Sequence, residues 1–219
     1  MRKYEEYYLL QERLCQNVIK TNALPEEIKY IAGTDVSYKD SIDMMVGAFV
    51  VLDANTLEVV DIAYHQMHIT FPYITGLFSF REVPPLLEAY KKLKIKPDLV
   101  ICDAQGIAHP RGFGMACHLG LELDLPTIGC GKTRLVGQYN EEMLSLEKGG
   151  MQDLIYKKEM VGKVVRTRKN TKPLFVSIGH KIDLNAAVDW VLKMCPKYRL
   201  PETTRQADRL VGELMQKIS

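Results

Sequence analysis

Four acidic residues stand where acidic residues are out of place. Asp35 interrupts the strand-like run "GTDVSY" (33–38), between Thr34 and Val36, although Asp is depleted in strands. Asp103 ends the apolar run "PDLVICD" (97–103), at the carboxyl end of a buried strand, where ligands collect in open α/β sheets. Asp208 borders the apolar stripe Ala207, Leu210, Val211, Leu214, Met215 and Ile218 of a C-terminal helix. Glu82 follows "SFR" just before two prolines. Each has an ordinary alternative. Asp35 could sit on an edge or start a turn, and Asp103 could cap the turn "DAQG". Asp208 could pair with Arg205, and Glu82 could be a surface glutamate. Taken together, they suggest an acidic cluster drawn from a first strand, a helix, a middle strand and a last helix. Acids held close repel one another unless a divalent cation neutralises them. An all-oxygen ligand set favours Mg²⁺, with Mn²⁺ as a substitute, over zinc. Such a site can position an attacking water and stabilise the leaving oxygen of a phosphodiester.

These residues need elements to hold them. Residues 4–20 read as an amphipathic helix. "YIAGTDVSY" (30–38), "MVGAFVVLD" (45–53) and "EVVDIAYHQM" (58–67) read as three strands joined by short links, hence an antiparallel meander. A helix over 75–93 is expected to break or kink at Pro84-Pro85. Buried strands follow at 97–103 and 126–132, flanking a glycine-opened helix at 111–123. Further strands are expected at 160–167 and 173–178, and helices at 184–194 and 202–218. The polar stretch 138–158 reads as a surface excursion. This order predicts one mixed sheet covered by helices, in a single domain spanning 1–219.

The totals exclude some roles. The chain has 29 basic against 27 acidic residues, so it carries no global basic field and any nucleic-acid site needs local clusters. Lys91–Lys96, Lys132-Thr133-Arg134 and Arg166–Lys169 are such clusters, each with the default reading of a solvated face. The five cysteines have neither zinc nor redox spacing. Cys102 and Cys130 read as small buried hydrophobes, and a reducing cytoplasm suits the set. The stretch "MRKYEEYYLLQERL" has no apolar signal core, and the run near "MMVGAFVVL" is too short to span a bilayer.

Six motifs in order, "GTDVSY", "FPYITGLFSFRE", "DAQGIAHPRGFGMACHLG", "IGCGKTRL", "SIGH" and "LPETTRQAD", resemble those of the endonuclease V family across roughly residues 5–215. The resemblance implies an α/β, ribonuclease H-like mixed sheet: three antiparallel strands, then strands parallel to the first, flanked by helices. It implies that Asp35 and Asp103 converge on neighbouring strands. Asp35, Glu82 and Asp103 match the family's metal-binding acids, and a fourth ligand position falls on Asp208. "FPYITG" is similar to the family's wedge loop, with Pro72, Tyr73, Ile74 and Gly76 in place and Thr75 where a second proline is common. Tyr73 would fill the gap left when a base is flipped from the stack. The alternative is a simple turn with Tyr73 packed inward. His109 and Lys132 are similar to residues that contact the phosphates at the cut. Gly76, Ala104 and Gly106 fall where main-chain groups hold the base, with Ala104 replacing a usual glycine. Ile178 replaces a usual proline in "SIGH", a loop expected, with His180, to be structural.

The implied activity is a metal-dependent endonuclease acting on DNA containing deoxyinosine, cutting the second phosphodiester 3′ of the lesion to start repair. Alternatives are a ribonuclease acting mainly on inosine-containing RNA and a non-catalytic binder of damaged strands. Beyond the metal, no cofactor is expected. A cytoplasmic monomer with no membrane partner is expected.

Overall fold

The structure, a computed structural model, describes residues 3–218; Met1, Arg2 and Ser219 lie outside the described residues. Its frame is one eight-stranded sheet. The strands are β1 (Tyr30–Lys39), β2 (Met44–Asp53), β3 (Val59–His68), β4 (Leu99–Cys102), β5 (Thr127–Gly131), β6 (Met151–Tyr156), β7 (Glu159–Val165) and β8 (Leu174–His180). The helices are α1 (Glu5–Leu14), α2 (Phe78–Lys92), α3 (Met115–Leu123), α4 (Leu184–Lys193) and α5 (Glu202–Gln216). The strands are ordered β3-β2-β1-β4-β5-β8-β7-β6.

The first three strands form the expected antiparallel meander. β1 then pairs β4, and β4 pairs β5, both in parallel. β8 turns back antiparallel to β5, and β7 and β6 continue antiparallel. Parallel neighbours need a crossover, and α2 and α3 supply the two. They cover one face, where Val83, Leu86, Ala89, Ala116 and Leu119 share a core with Ala32, Val36, Phe49, Val100 and Cys102. On the other face α4 brings Ala187, Val188 and Val191 to a core shared with Ile31, Ile101, Ile128 and Val176. Further along the sheet, α5 adds Val211, Leu214 and Met215 to Val46 and Ala48. Each fully buried aliphatic side chain contributes about 1.5–3 kcal/mol relative to exposure. Cys102 and Cys130 are buried on the two central parallel strands, as small hydrophobes.

α5 lies unusually close to β1. A methyl group at Gly33 would stand 2.1 Å from the Thr203 carbonyl carbon, so only glycine permits this approach. The contact seats the N-terminal half of α5, and with it Asp208, over the face of β1 that carries Gly33 and Asp35.

Four expectations are corrected. The N-terminal helix ends at Leu14 rather than 20, passing through a short 3₁₀ turn at Cys15–Asn17. Ile19 then pairs with the end of β8 by accepting from Lys181 N–H at 2.8 Å. α2 runs through Pro84 and Pro85 without breaking. The two prolines withhold two N–H donors, yet Val83, Pro85, Leu86 and Ala89 are all buried and hold the helix on the sheet. The helix expected from 111 starts at Met115, because Gly112 turns left-handed before it. The excursion at 138–158 contains β6, an outer strand on which only Leu154 is buried. Among the described residues, no helix is long and apolar enough to cross a membrane.

Candidate active site

The register of β1 with β4 places the acids. Thr34 pairs with Cys102, so the next residues, Asp35 and Asp103, stand side by side where the two parallel strands diverge. β1 is central, flanked by β2 and β4, so Asp35 occupies neither an edge nor a turn. Glu82 is 5% exposed on α2 and is no surface glutamate. Asp35, Glu82, Asp103 and Lys132 all line one cavity of about 660 Å³, a size suited to a small ligand or an extruded base.

The electrostatics show three acids in mutual conflict. Burial and then the neighbouring Asp103 raise Asp35 to about 7. Burial and then Asp35 and Asp103 push Glu82 well above the usual carboxylate range. Burial also raises Asp103, against its hydrogen bond to Lys132. Two of the three have no strong cation partner of their own, which is the pattern of carboxylates gathered for a purpose other than pairing.

Lys132 supplies the positive charge that is present. It extends from the end of β5, and its Nζ pairs with Asp103 and, at 3.3 Å, with Asp208. Burial pushes its pKa down, but the hydrogen bond and charge of Asp103 outweigh that and hold it above its ordinary value. The backbone around it is pinned: Gln105 Nε2 donates to the Thr133 carbonyl at 2.8 Å and Arg199 Nη2 to the Lys132 carbonyl at 3.2 Å. Asp208 itself is exposed, and Arg205 ignores it, forking onto Glu202 instead.

The donor chemistry fits a hard divalent cation: oxygen-only, partly dehydrated, and repulsive until neutralised. The four acids do not, however, form a finished cage. Among the described residues, no group of three or more His, Cys, Asp or Glu side chains is arranged to hold a metal ion. The Lys132 ammonium stands between Asp103 and Asp208 instead.

The loop "FPYITG" forms another part of the wall. Tyr73 is 62% exposed, with an edge-on contact to Phe78 at 5.7 Å between centroids, so it is not packed inward. Tyr73, Thr75 and Gly76 line the cavity, as does Ala104. Pro72 and Ile74 are not among its lining residues. Gly76 has φ +80°, a conformation that a side chain disfavours.

His109 is 5% exposed, with both ring nitrogens engaged. Nδ1 accepts from the Arg111 N–H at 3.3 Å, so Nε2 carries the proton and donates to the Gly76 carbonyl at 3.1 Å. Burial and then the Arg111 charge lower its pKa to about 4. It is therefore neutral at pH 7 and holds a loop rather than presenting a charge. Gly106 does not join the cavity wall. Its N–H donates to Ser177 Oγ at 2.9 Å and its carbonyl accepts from Gly114 N–H at 2.9 Å, so its N–H is committed to β8. "SIGH" is strand β8 rather than a loop; His180 is buried and accepts from Ile19 N–H at 3.2 Å. Of the basic clusters, Arg166 is buried, donating to the Ser145 carbonyl at 2.7 Å, and is not a solvated face.

Two residues of the site carried little signal in the sequence. Arg111 lay inside the quoted motif without a role, and Gln11 lay on what reads as an ordinary amphipathic helix. Only an i, i+3 pairing of Tyr8 with Gln11 on one helical face could have pointed to a shared partner.

The endonuclease V family model matches residues 12–209. An endonuclease V of Nostoc punctiforme is 48% identical over 208 residues, covering 95% of this chain and 93% of its own. The crystal structure of an endonuclease V from Streptomyces avermitilis superimposes with a TM-score of 0.92 at 40% identity, covering 98% of this chain and 94% of that one. That of Ciona intestinalis, in complex with a 24mer DNA containing an inosine followed by a ribo-adenosine, gives 0.86 at 28% identity and covers 98% of each chain.

Proposed function

This chain belongs to the endonuclease V family, and from that premise we propose that it is a metal-dependent endonuclease that captures a flipped inosine in a DNA strand. It cuts the second phosphodiester 3′ of the lesion, leaving 3′-hydroxyl and 5′-phosphate ends and opening the strand to repair. The observation that carries this reading is the juxtaposition of Asp35 and Asp103 at diverging strand ends, with Glu82, in a cavity beside the exposed Tyr73. The Ciona relative's complex with inosine-containing DNA supports the choice of lesion.

Asp35, Glu82 and Asp103 would hold Mg²⁺, or Mn²⁺ in its place, with Asp208 as a further oxygen donor. A divalent ion supplies charge neutralisation of the phosphate and a more acidic bound water. The rest falls to the chain. Held near 7, Asp35 gives up its proton readily near neutral pH once a positive charge adjoins it. Lys132 remains charged, and its stem lets the ammonium leave Asp208 for a phosphate oxygen as charge builds there. Tyr73 presents its ring at the cavity mouth, where it can replace stacking lost by extruding a base. Gly76, Ala104 and the adjoining loop shape the base pocket. His109, neutral and hydrogen-bonded on both sides, fixes that loop.

A second reading, cleavage of inosine-containing RNA, is favoured by one observation: the strand in the Ciona complex carries a ribo-adenosine directly after the inosine. A 2′-hydroxyl at that nucleotide is thus compatible with the related fold. The test is cleavage of matched DNA and RNA oligonucleotides, each with one inosine, with Mg²⁺, with Mn²⁺ and with EDTA. The proposal expects metal-dependent cutting at the second phosphodiester 3′ of inosine, directly after the nucleotide that follows it, with DNA the better substrate. Faster RNA cutting selects the second reading. Binding without cutting in any metal reduces the chain to a reader of damaged strands.

A further inference from the structure

The Gly76 carbonyl is gripped from two sides. His109 Nε2 donates to it at 3.1 Å and Arg111 Nη2 at 2.6 Å. Arg111 is itself held from α1: its Nε donates to Gln11 Oε1 at 2.6 Å, and its guanidinium lies 4.5 Å from the Tyr8 ring centroid. Gln11 is 1% exposed and completes the link by donating from Nε2 to the Phe113 carbonyl at 3.3 Å. One Arg side chain therefore ties three segments remote in sequence: α1, the loop bearing Tyr73, and the loop that leaves Asp103. The joint sits where Gly76 adopts its left-handed conformation, three residues after the exposed Tyr73.

We propose that Gln11 and Arg111 are positioning residues for lesion capture, with α1 serving as the anchor that fixes the Tyr73 loop through the Gly76 carbonyl. The inference rests on the reading of Tyr73 as the residue that fills the gap left by a flipped base. The physical argument is pre-organisation. An exposed loop that must present one ring at one height loses affinity in proportion to the conformers it samples when free. Two donors on one carbonyl, one of them a charged fork already committed to a buried amide, remove most of those conformers. Arg suits the position because its planar guanidinium can address Gln11 and Gly76 together, and Lys has no such fork.

The test uses the full chain and two oligonucleotides identical except for one inosine, with 2-aminopurine next to that position to report unstacking. Arg111→Leu and Gln11→Leu should each weaken binding of the inosine strand about tenfold, as loss of a charge-assisted hydrogen bond predicts, and diminish the 2-aminopurine signal. Binding of the inosine-free strand should stay unchanged. The double variant should be no weaker than the worse single one, since both break one chain of contacts. Gln11→Glu, which keeps the acceptor for Arg111 but loses the donor to the Phe113 carbonyl, should restore part of the signal. Amide exchange over residues 72–78 should speed up in both Leu variants without substrate present. If Arg111→Leu fails to fold, Gln11→Leu and its exchange rates carry the test. Equal weakening on both strands, or unaltered exchange at 72–78 in a folded variant, overturns the anchor. A wild-type chain indifferent to inosine overturns the lesion reading and the anchor with it, whereas wild-type preference with unaltered variants overturns the anchor alone.

Discussion

The acid cluster and the Gly76 joint face the same cavity and are built on opposite terms. In the first, Asp35, Glu82 and Asp103 repel one another, and burial raises all three. In the second, His109, Arg111, Gln11 and the Gly76 carbonyl satisfy one another, and the histidine is kept neutral. The difference separates a region poised to accept something from a region whose work is done when the chain folds. Carboxylates left short of donors cost stability, and a site retains them only where a ligand completes them. Fully engaged polar groups give rigidity instead.

The comparison breaks most visibly at the acids. Asp35→Asn and Asp103→Asn should each lower single-turnover cleavage of an inosine strand by on the order of a hundred- to a thousandfold, the scale of losing one electrostatic element of a site. Asp35→Asn should not melt below wild type in EDTA, because it relieves crowding among buried carboxylates, whereas Asp103→Asn also gives up the Lys132 pair and should lose no more than about 1 kcal/mol. A variant that loses activity and stability together would make the cluster structural.

The pH dependence of stability separates the regions by sign. Asp35 moves from 3.8 in the unfolded chain to about 7 in the folded one. Over that interval the folded state holds a proton that the unfolded state has released, so stability falls as pH rises toward 7. His109 moves from 6.5 to about 4. Here the unfolded state binds the proton first, so stability falls as pH drops from 6.5 through about 4. In the metal-free chain the two dependences therefore oppose one another between about 4 and 6.5, and only the Asp35 decline continues to about 7. Thermal melts of Asp35→Asn should expose the His109 dependence, with stability rising with pH up to 6.5, and melts of His109→Gln should expose the Asp35 dependence, with stability falling with pH up to about 7. A pH profile that Asp35→Asn leaves unchanged would mean that the acids are relieved by something else.

Tyr73 gives a smaller effect. Its ring is exposed, so Tyr73→Ala should leave the melting curve within about 0.5 kcal/mol of wild type. The same change should weaken inosine-strand binding about tenfold, the scale of one base–aromatic stack. A large loss of stability would revive an inward-packed role.

Much of this was legible in the sequence, for identifiable reasons. Apolar runs that are buried along nearly their whole length, such as β2 and β4, announce themselves, as does an Asp at the end of one. β6 did not. Only Leu154 is buried on it, with Gln152 and Tyr156 half-buried on the same side, so its inner face is too polar to read as a strand. Its hairpin turn, Lys157-Lys158 at φ 51° and 69°, lacks the Asn-Gly signature such a turn favours. α2 does not break at its prolines, because burial of Val83, Pro85, Leu86 and Ala89 outweighs two missing hydrogen bonds. In the site, the acids could be read as misplaced charges, but the hydrogen bonding of His109 and Gly106 could not. A histidine bonded on both nitrogens and a glycine whose N–H is already committed depend on partners remote in sequence, at Gly76 and Ser177. Gln11 was invisible for the same reason.

The most direct measurement is anomalous diffraction from a crystal of this chain soaked in Mn²⁺. The account predicts an anomalous peak against the Asp35 and Asp103 carboxylates, with the Lys132 ammonium drawn away from Asp208. A map with Lys132 still seated on both aspartates and no Mn²⁺ at the acids, under soaking conditions that support cleavage in solution, would contradict it.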